Sequence, residues 1–250
     1  MKPFELSWRI FLGGEVLALA FRNLAWYPWV AGLLAGWFAL VFVRGLFDPR
    51  AKFFIDIFNG GGSEPVLYLT FDDGPDPDET PALLEWLAQE GIRAGFFVTG
   101  ERAEAYPQLL AQIAEAGHQI GNHSFSHAKS VAFSSAKAWR LELERTDRAI
   151  EAATGKKPRL FRPPVGITTP SLASAIEDSG RVVVGWSLRS LDWFTPDPNR
   201  VAQRILDRLE PGALFLLHDV PHPGASALEV LAQVVPQARE RGYRFALLPF

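Results

Sequence analysis

The chain has 250 residues, 48% of them apolar and 21% charged, with a formal net charge of −3 and no cysteine. That length supports one sizeable core, and the composition is that of a globular chain rather than a disordered one. The charge leaves no basic footprint for nucleic acid, and without cysteine there are neither disulfides nor thiolate metal sites, so any metal must be held by His or carboxylate.

Residues 1–23 form a juxtamembrane segment. Within it "IFLGGEVLALAF" (10–21) is apolar but short and carries Glu15, which predicts an interfacial position. If it also inserted, it would make a hairpin with the next segment and leave the soluble domain on the cytoplasmic side. Residues 24–43 predict a single transmembrane helix. No charged side chain lies between Arg22 and Arg44, about 20 apolar residues suffice to cross a bilayer, and Trp26, Tyr27 and Trp29 stand where an interfacial aromatic belt would. A buried core helix of this length rarely lacks charge altogether. The run is too long and begins too late for a cleaved signal peptide, and no small-x-small site follows it. Lys2, Arg9 and Arg22 before the span balance Arg44, Arg50 and Lys52 after it, so the positive-inside rule leaves the orientation open.

Residues 44–64 predict a linker. "AKFFIDIF" is apolar enough to lie on the membrane or on the domain, and Gly60, Gly61 and Gly62 supply flexibility. From residue 65 to 250 short apolar runs alternate with amphipathic stretches. "VLYLTF", "AGFFVTG", "HQIGN", "RLFR", "RVVVGWS", "ALFLLHD" and "YRFALLPF" predict strands. "ETPALLEWLAQEG", "EAYPQLLAQIAEAG", "SSAKAWRLELERTDRAIEAATG", "PSLASAIEDSG", "PNRVAQRILDRLEPG" and "SALEVLAQVVPQARERG" predict helices. Such alternation means parallel strands with helices outside, and about seven strands favour a barrel or incomplete barrel over an open sheet.

The reactive side chains recur at one position in this scheme. Asp72 and Asp73 follow the first strand, His123 and His127 the third; Arg162 ends the fourth, Asp192 follows the fifth, and His218 ends the sixth. The carboxyl ends of β/α strands share one face, where active sites are built. "HSFSH" spaces two imidazoles four apart, and on a helical turn they would share one face about 5–6 Å apart, suited to one metal. A solvated helix face explains that spacing equally well; the carboxylate pair of "FDDGP" on the same face decides for the metal, since two His and one Asp leave positions open for water and substrate. His118 is expected to be structural, and His222 solvated.

These segments resemble the polysaccharide deacetylases with a NodB-homology domain, carbohydrate esterase family 4. "TFDDGPDP", "HSFSH", "FRPPVG", the "DW" of "WSLRSLDWF" and "LLHD" match the five motifs in order, over roughly three quarters of the chain. The resemblance implies a distorted (β/α)7 barrel, here preceded by the transmembrane helix, and metal-dependent removal of acetyl groups from N-acetylated, or sometimes O-acetylated, polysaccharide. It implies Asp72 as the base, and Asp73, His123 and His127 as ligands of a divalent metal, zinc first and cobalt or nickel as substitutes. Arg162 would orient the base, with Asp192 behind that arginine or beside the acid, and His218 would be the acid. The Val165 N–H would be an oxyanion donor, and Pro163, Trp193 and Leu216 substrate contacts. Two positions depart from the family pattern: Val165 replaces a usual Tyr, and Arg189 an acidic residue that often precedes the "DW" aspartate by three. The implied partners are an acetylated polysaccharide and, through the N-terminal helix, membrane lipid. Wall polymers place the domain outside the cytoplasm, on a single-pass anchor. The motifs name no particular polymer, and nothing in the pattern specifies an oligomer. The alternatives are an amidohydrolase for a small non-polymeric amide and an inactive glycan-binding relative.

Overall fold

The computed structural model describes residues 3–20, 22–23, 26–48 and 52–250. Lys2 and Arg50, counted above for orientation, and residues 24–25 at the start of the expected span lie outside the described residues.

The centre of the β/α domain is β1 (Val66–Asp72), a near-continuous apolar run buried on both faces, as a parallel strand covered by helices requires. One edge of β1 pairs from residue 67 to residue 72 with β7 (Ala213–His218). The other edge is shared: β2 (Gly95–Val98) pairs with residues 70–72, and β8 (Arg244–Ala246) with residues 66–68. Beyond β2 follow β3 (Gln119–Asn122), β4 (Leu160–Phe161) and β5 (Val182–Val183); beyond β7 lies β6 (Leu188–Arg189). Every one of these ladders is parallel. The connecting helices are α3 (Thr80–Gln89), α4 (Gly100–Ala105), α5 (Pro107–Glu115), α6 (Ala136–Thr154), α7 (Pro170–Ile176), α8 (Pro198–Leu206) and α9 (Ala227–Glu240). This is the expected distorted β/α barrel. Phe71, Phe96, Leu87, Ile113, Leu217 and Val230 meet in its main core, each fully buried large side chain contributing roughly 1.5–3 kcal/mol.

Two elements differ from expectation. "EAYPQLLAQIAEAG" is not one helix, because Pro107 lacks an N–H and starts α5 afresh after α4. "RVVVGWS" is a strand only at its start. The Val184 N–H still bonds to Phe161, but the Gly185 N–H turns to Phe58 and the Ser187 N–H to Leu214, so the chain crosses the barrel gap and re-enters as β6. Asp192 therefore follows the sixth strand, and His218 ends the seventh.

Residues 53–60 belong to the domain. Phe53, Phe54, Ile55 and Ile57 are buried with Val131, Trp139, Phe161 and Leu172, and burial of four large apolar side chains offsets the entropy of ordering the segment. Phe58 bridges to Val184 and Gly60 to Ala213. Gly60, at φ +84°, abuts the Gly212 carbonyl with no room for a side chain, so here glycine serves close approach rather than flexibility.

Ahead of the domain, α1 (Pro3–Ala20) lies beside α2 (Tyr27–Phe47). Phe4 meets Phe42, Phe11 stacks on Phe38 with ring centres 4.9 Å apart, and Leu34 lies under Gly14, so the helices run antiparallel. The segment expected to be interfacial is thus part of a helical pair. Among the described residues α2 alone is long and apolar enough to cross a membrane, and it is almost wholly unburied.

Candidate active site

The carboxyl ends of the strands surround a cavity of about 350 Å³ lined by Asp72, Asp73, His123, His127, Val165, Asp192, Trp193, Leu216 and His218 among others. Nine of the eleven residues singled out above therefore meet there. Arg162 lies beneath the cavity floor and is fully buried. Pro163 is also buried and does not line the cavity; its carbonyl accepts the Gly166 N–H at 3.0 Å and so shapes the turn that carries Val165.

At the end of β1 the two aspartates point to different partners. Asp72 Oδ1 accepts from Arg162 Nη1 at 2.5 Å. Arg162 is held in turn by the Thr70 hydroxyl and the Val184 and Gly185 carbonyls, with its guanidinium over the Phe97 ring. Asp73, with φ +76°, turns its carboxylate the other way. Its Oδ1 is buried, has no hydrogen-bond partner, and lies 3.4 Å from His123 Nε2 and 3.3 Å from His127 Nε2. Gly74 follows because a side chain there would collide with the Asp219 carboxylate. Burial pushes the Asp219 carboxyl up to about 7, against the bond from the Thr80 hydroxyl.

"HSFSH" is not a helical turn. Residues 123–128 are irregular, with Ser124 at φ +66° and His127 at φ +50°. The loop is shaped by two side chains that no spacing rule flagged. Asn122 Oδ1 accepts the Ser124 N–H, and the Glu142 carboxylate, reaching over from α6, accepts the N–H groups of Phe125 and Ser126. The two imidazoles still converge, with ring centres 5.0 Å apart. His123 Nδ1 is 2.8 Å from the Arg162 carbonyl, which fixes Nε2 as the atom facing Asp73. Burial drives His123 toward its neutral form, despite Asp72 and Asp73 nearby, and neutral imidazole is the metal-binding state.

Across the cavity, Asp192 serves His218 rather than Arg162. Its carboxylate accepts the His218 N–H at 2.9 Å, lies 3.0 Å from Nδ1, and accepts the Ser190 hydroxyl at 2.7 Å. Burial opposes charge on His218, but the bond to Asp192 and the negative charges of Asp192, Asp72 and Asp73 outweigh it and lift the imidazole to about 9. His222, expected to be solvated, instead stacks on Trp193 with its side chain buried, Nε2 3.7 Å from Asp192; its Nδ1 accepts the Gly224 N–H at 3.1 Å. His118 is structural as expected: its Nδ1 accepts the Ala94 N–H, and burial lowers its pKa to about 4.

Val165, a β-branched residue at φ +58°, is an outlier that the Pro164–Gly166 turn imposes. Asp73, Ser124, His127, Val165 and Leu191 are five of the six described non-glycine residues with positive φ, and all five sit in the loops around this cavity. Strain of that kind clusters at functional sites. The arrangement can hold a cation on one wall and offer a charged imidazole from the other.

A family profile described as polysaccharide deacetylase matches residues 59–184. The chain is 32% identical over 200 residues to a chitooligosaccharide deacetylase of Sinorhizobium fredii, covering 76% of this chain and 93% of that one. It superimposes on the crystal structure of a peptidoglycan N-acetylglucosamine deacetylase with a TM-score of 0.73 at 30% identity, covering 76% and 90% of the two chains. The structure of a family 4 acetyl xylan esterase from Clostridium thermocellum in complex with a cobalt ion gives 0.66 at 33% identity, covering 73% of this chain and 87% of that one. The chain therefore belongs to the polysaccharide deacetylases of the NodB-homology type and is an enzyme of carbohydrate esterase family 4.

Proposed function

We propose that this enzyme hydrolyses acetyl groups from an N-acetylated cell-wall or related saccharide, with a divalent metal, zinc first, held by Asp73, His123 and His127. The observation that carries this reading is the orphaned Oδ1 of Asp73, buried between two imidazole nitrogens. A buried carboxylate oxygen without a partner is costly, and a cation at the meeting point of the three ligand atoms removes that cost. Two nitrogens and one oxygen with open positions suit zinc, with cobalt or nickel as substitutes. Support also comes from the cobalt-bound family 4 relative.

A bound metal would supply an acidified water and a polarised acyl carbonyl. The chain's own residues do the rest. Asp72, held in place by Arg162, takes the proton of the attacking water. The N–H of Val165, a residue of the cavity lining, donates to the developing oxyanion. His218, kept protonated by Asp192, gives its proton to the leaving amine. Trp193 and Leu216 wall the acyl group. Residues 65–250 form the catalytic unit in this reading, 24–43 the membrane-crossing part and 44–64 the connection, of which residues 53–60 pack onto the catalytic unit. The domain faces outside the cytoplasm, where wall polymers lie; if α1 follows α2 through the membrane as it packs along it, both ends of the hairpin share that side, and if α2 alone crosses, the N-terminus lies on the other.

The test is acetate release by purified full-length protein from N-acetylated chitin oligomers, peptidoglycan and acetylated xylan. Release from the amide substrates is expected. Release from none of them, with zinc bound, contradicts the reading.

A further inference from the structure

The helical pair is fastened to the catalytic face itself. Thr168, three residues past the cavity-lining Val165, donates its N–H to the Leu46 carbonyl at 3.0 Å and its hydroxyl to the Gly45 carbonyl at 3.1 Å, both in the last turn of α2. Three residues of chain reach at most about 11 Å, so the cavity wall lies within that span of the foot of α2. The loop after β3 makes a second tie: Val131, four residues past His127, is buried with Phe53 and Phe54, against which Phe42 of α2 and Phe4 of α1 pack. Both loops that build one side of the site thus rest on the foot of the hairpin. The opposite end of the barrel, where the strands begin, carries no such tie among the described residues.

The outer surface of the hairpin has the chemistry of a lipid contact. Leu6, Ile10 and Leu17 on α1, and Trp29, Leu33 and Leu40 on α2, are exposed. At 21 residues α2 is about 31 Å long, close to the ~30 Å hydrocarbon thickness of a bilayer. Soluble chains rarely expose so much apolar surface; on α1 it is interrupted by exposed Glu5 and Arg9, and on α2 no charged residue interrupts it before Arg44. At the foot, on the cavity side, Phe133 is 66% exposed and Val165 46%.

We propose that the hairpin seats the catalytic face against the bilayer, and that the substrate is an N-acetylated saccharide carried on a membrane lipid. This rests on the deacetylase reading above and narrows its substrate. A sugar held at the headgroups reaches a cavity about a nanometre from them, whereas a polymer free of the membrane must enter between the domain and the lipid.

Full-length protein in vesicles of phosphatidylglycerol and phosphatidylethanolamine is given N-acetylglucosamine linked to a polyprenyl phosphate in the same vesicles, or N-acetylated chitotetraose in solution. The expected result is kcat/KM at least about 10-fold higher for the lipid-borne sugar. Equal or better turnover of the soluble oligomer overturns the inference and leaves the deacetylase reading standing. Acetate release from neither overturns both. The seating has its own measurement, which the absence of native cysteine makes clean. Phe133→Cys and Lys156→Cys, the second at an exposed position entering β4 from the far end of the barrel, are each labelled with an environment-sensitive fluorophore. Brominated lipid is expected to quench the label at 133 and not at 156. Equal quenching at both, or none at 133, overturns the seating.

Discussion

Asp192 holds His218 by both backbone and ring, accepting the N–H at 2.9 Å and lying 3.0 Å from Nδ1. The pair explains how an imidazole with its side chain largely buried keeps a proton: burial works against the charge, and the adjacent carboxylate more than restores it, to about 9. A general acid must be protonated to act, so activity on amides is expected to persist through neutral pH and fall as pH rises through about 9. Asp192→Asn removes the counter-charge and leaves burial unopposed. A charge-assisted hydrogen bond is worth ~1.5–3 kcal/mol, and a pKa unit ~1.4, so the alkaline limb should move down by about one to two pH units. The pH dependence of kcat on an N-acetylated oligomer checks this.

The same pair carries a stability signature. His218 has a folded pKa above its ordinary 6.5, so its contribution is whole below about pH 6.5 and is lost as pH rises through about 9. Thermal melts of wild type should fall over that window, and Asp192→Asn should flatten the change.

Asp72→Asn should keep the metal and lose turnover by ~10²–10⁴-fold, the usual size of a general-base contribution. It should also lower the melting temperature. Arg162 is fully buried and, among the described residues, Asp72 is its one carboxylate partner, and breaking a buried ion pair costs up to ~3–5 kcal/mol. Metal content, acetate release and a melt on the same preparation separate these effects.

Glu142 touches no cavity-lining side chain in the site, yet it caps the loop between the two histidines through Phe125 and Ser126. Glu142→Ala should leave the fold intact and weaken metal binding by ~10–100-fold, as loss of a supporting partner does. Competition titration with a zinc chelator reads it.

Protease added to intact spheroplasts should digest the catalytic domain while cytoplasmic controls survive, and an epitope at the N-terminus should be reached from the same side if both helices cross. A domain protected until lysis puts the whole hairpin protein inside and makes a cytoplasmic amide the substrate to pursue.

The chemistry of the site was legible because it lies in contiguous motifs at strand ends. Asp73, His123 and His127 could be grouped from strand order alone, since parallel strands bring their carboxyl ends to one face. What supports them was not legible. Glu142 sits mid-helix, 15 residues from His127, and reads as one more solvated helix charge. His222 sits between prolines in a loop, and only its stack on Trp193 brings it inside. The helical reading of "HSFSH" came from spacing, but positive φ at Ser124 and His127 is invisible to spacing. Gly60, Gly61 and Gly62 read in sequence as flexibility, while the role of Gly60 is contact with Gly212, a residue some 150 positions away in the chain. The second helix of the hairpin is likewise a matter of packing: Glu15 makes α1 look interfacial, while Phe4, Phe11 and Gly14 lay it along α2.

The most direct measurement is acetate release from an N-acetylated chitin oligomer by metal-stripped protein, before and after stoichiometric zinc, beside His123→Ala treated identically. The account predicts no release when stripped, recovery with one zinc per chain, and neither stoichiometric zinc nor recovery in His123→Ala. Full activity in the stripped protein, or stoichiometric zinc and full activity in His123→Ala, would contradict it.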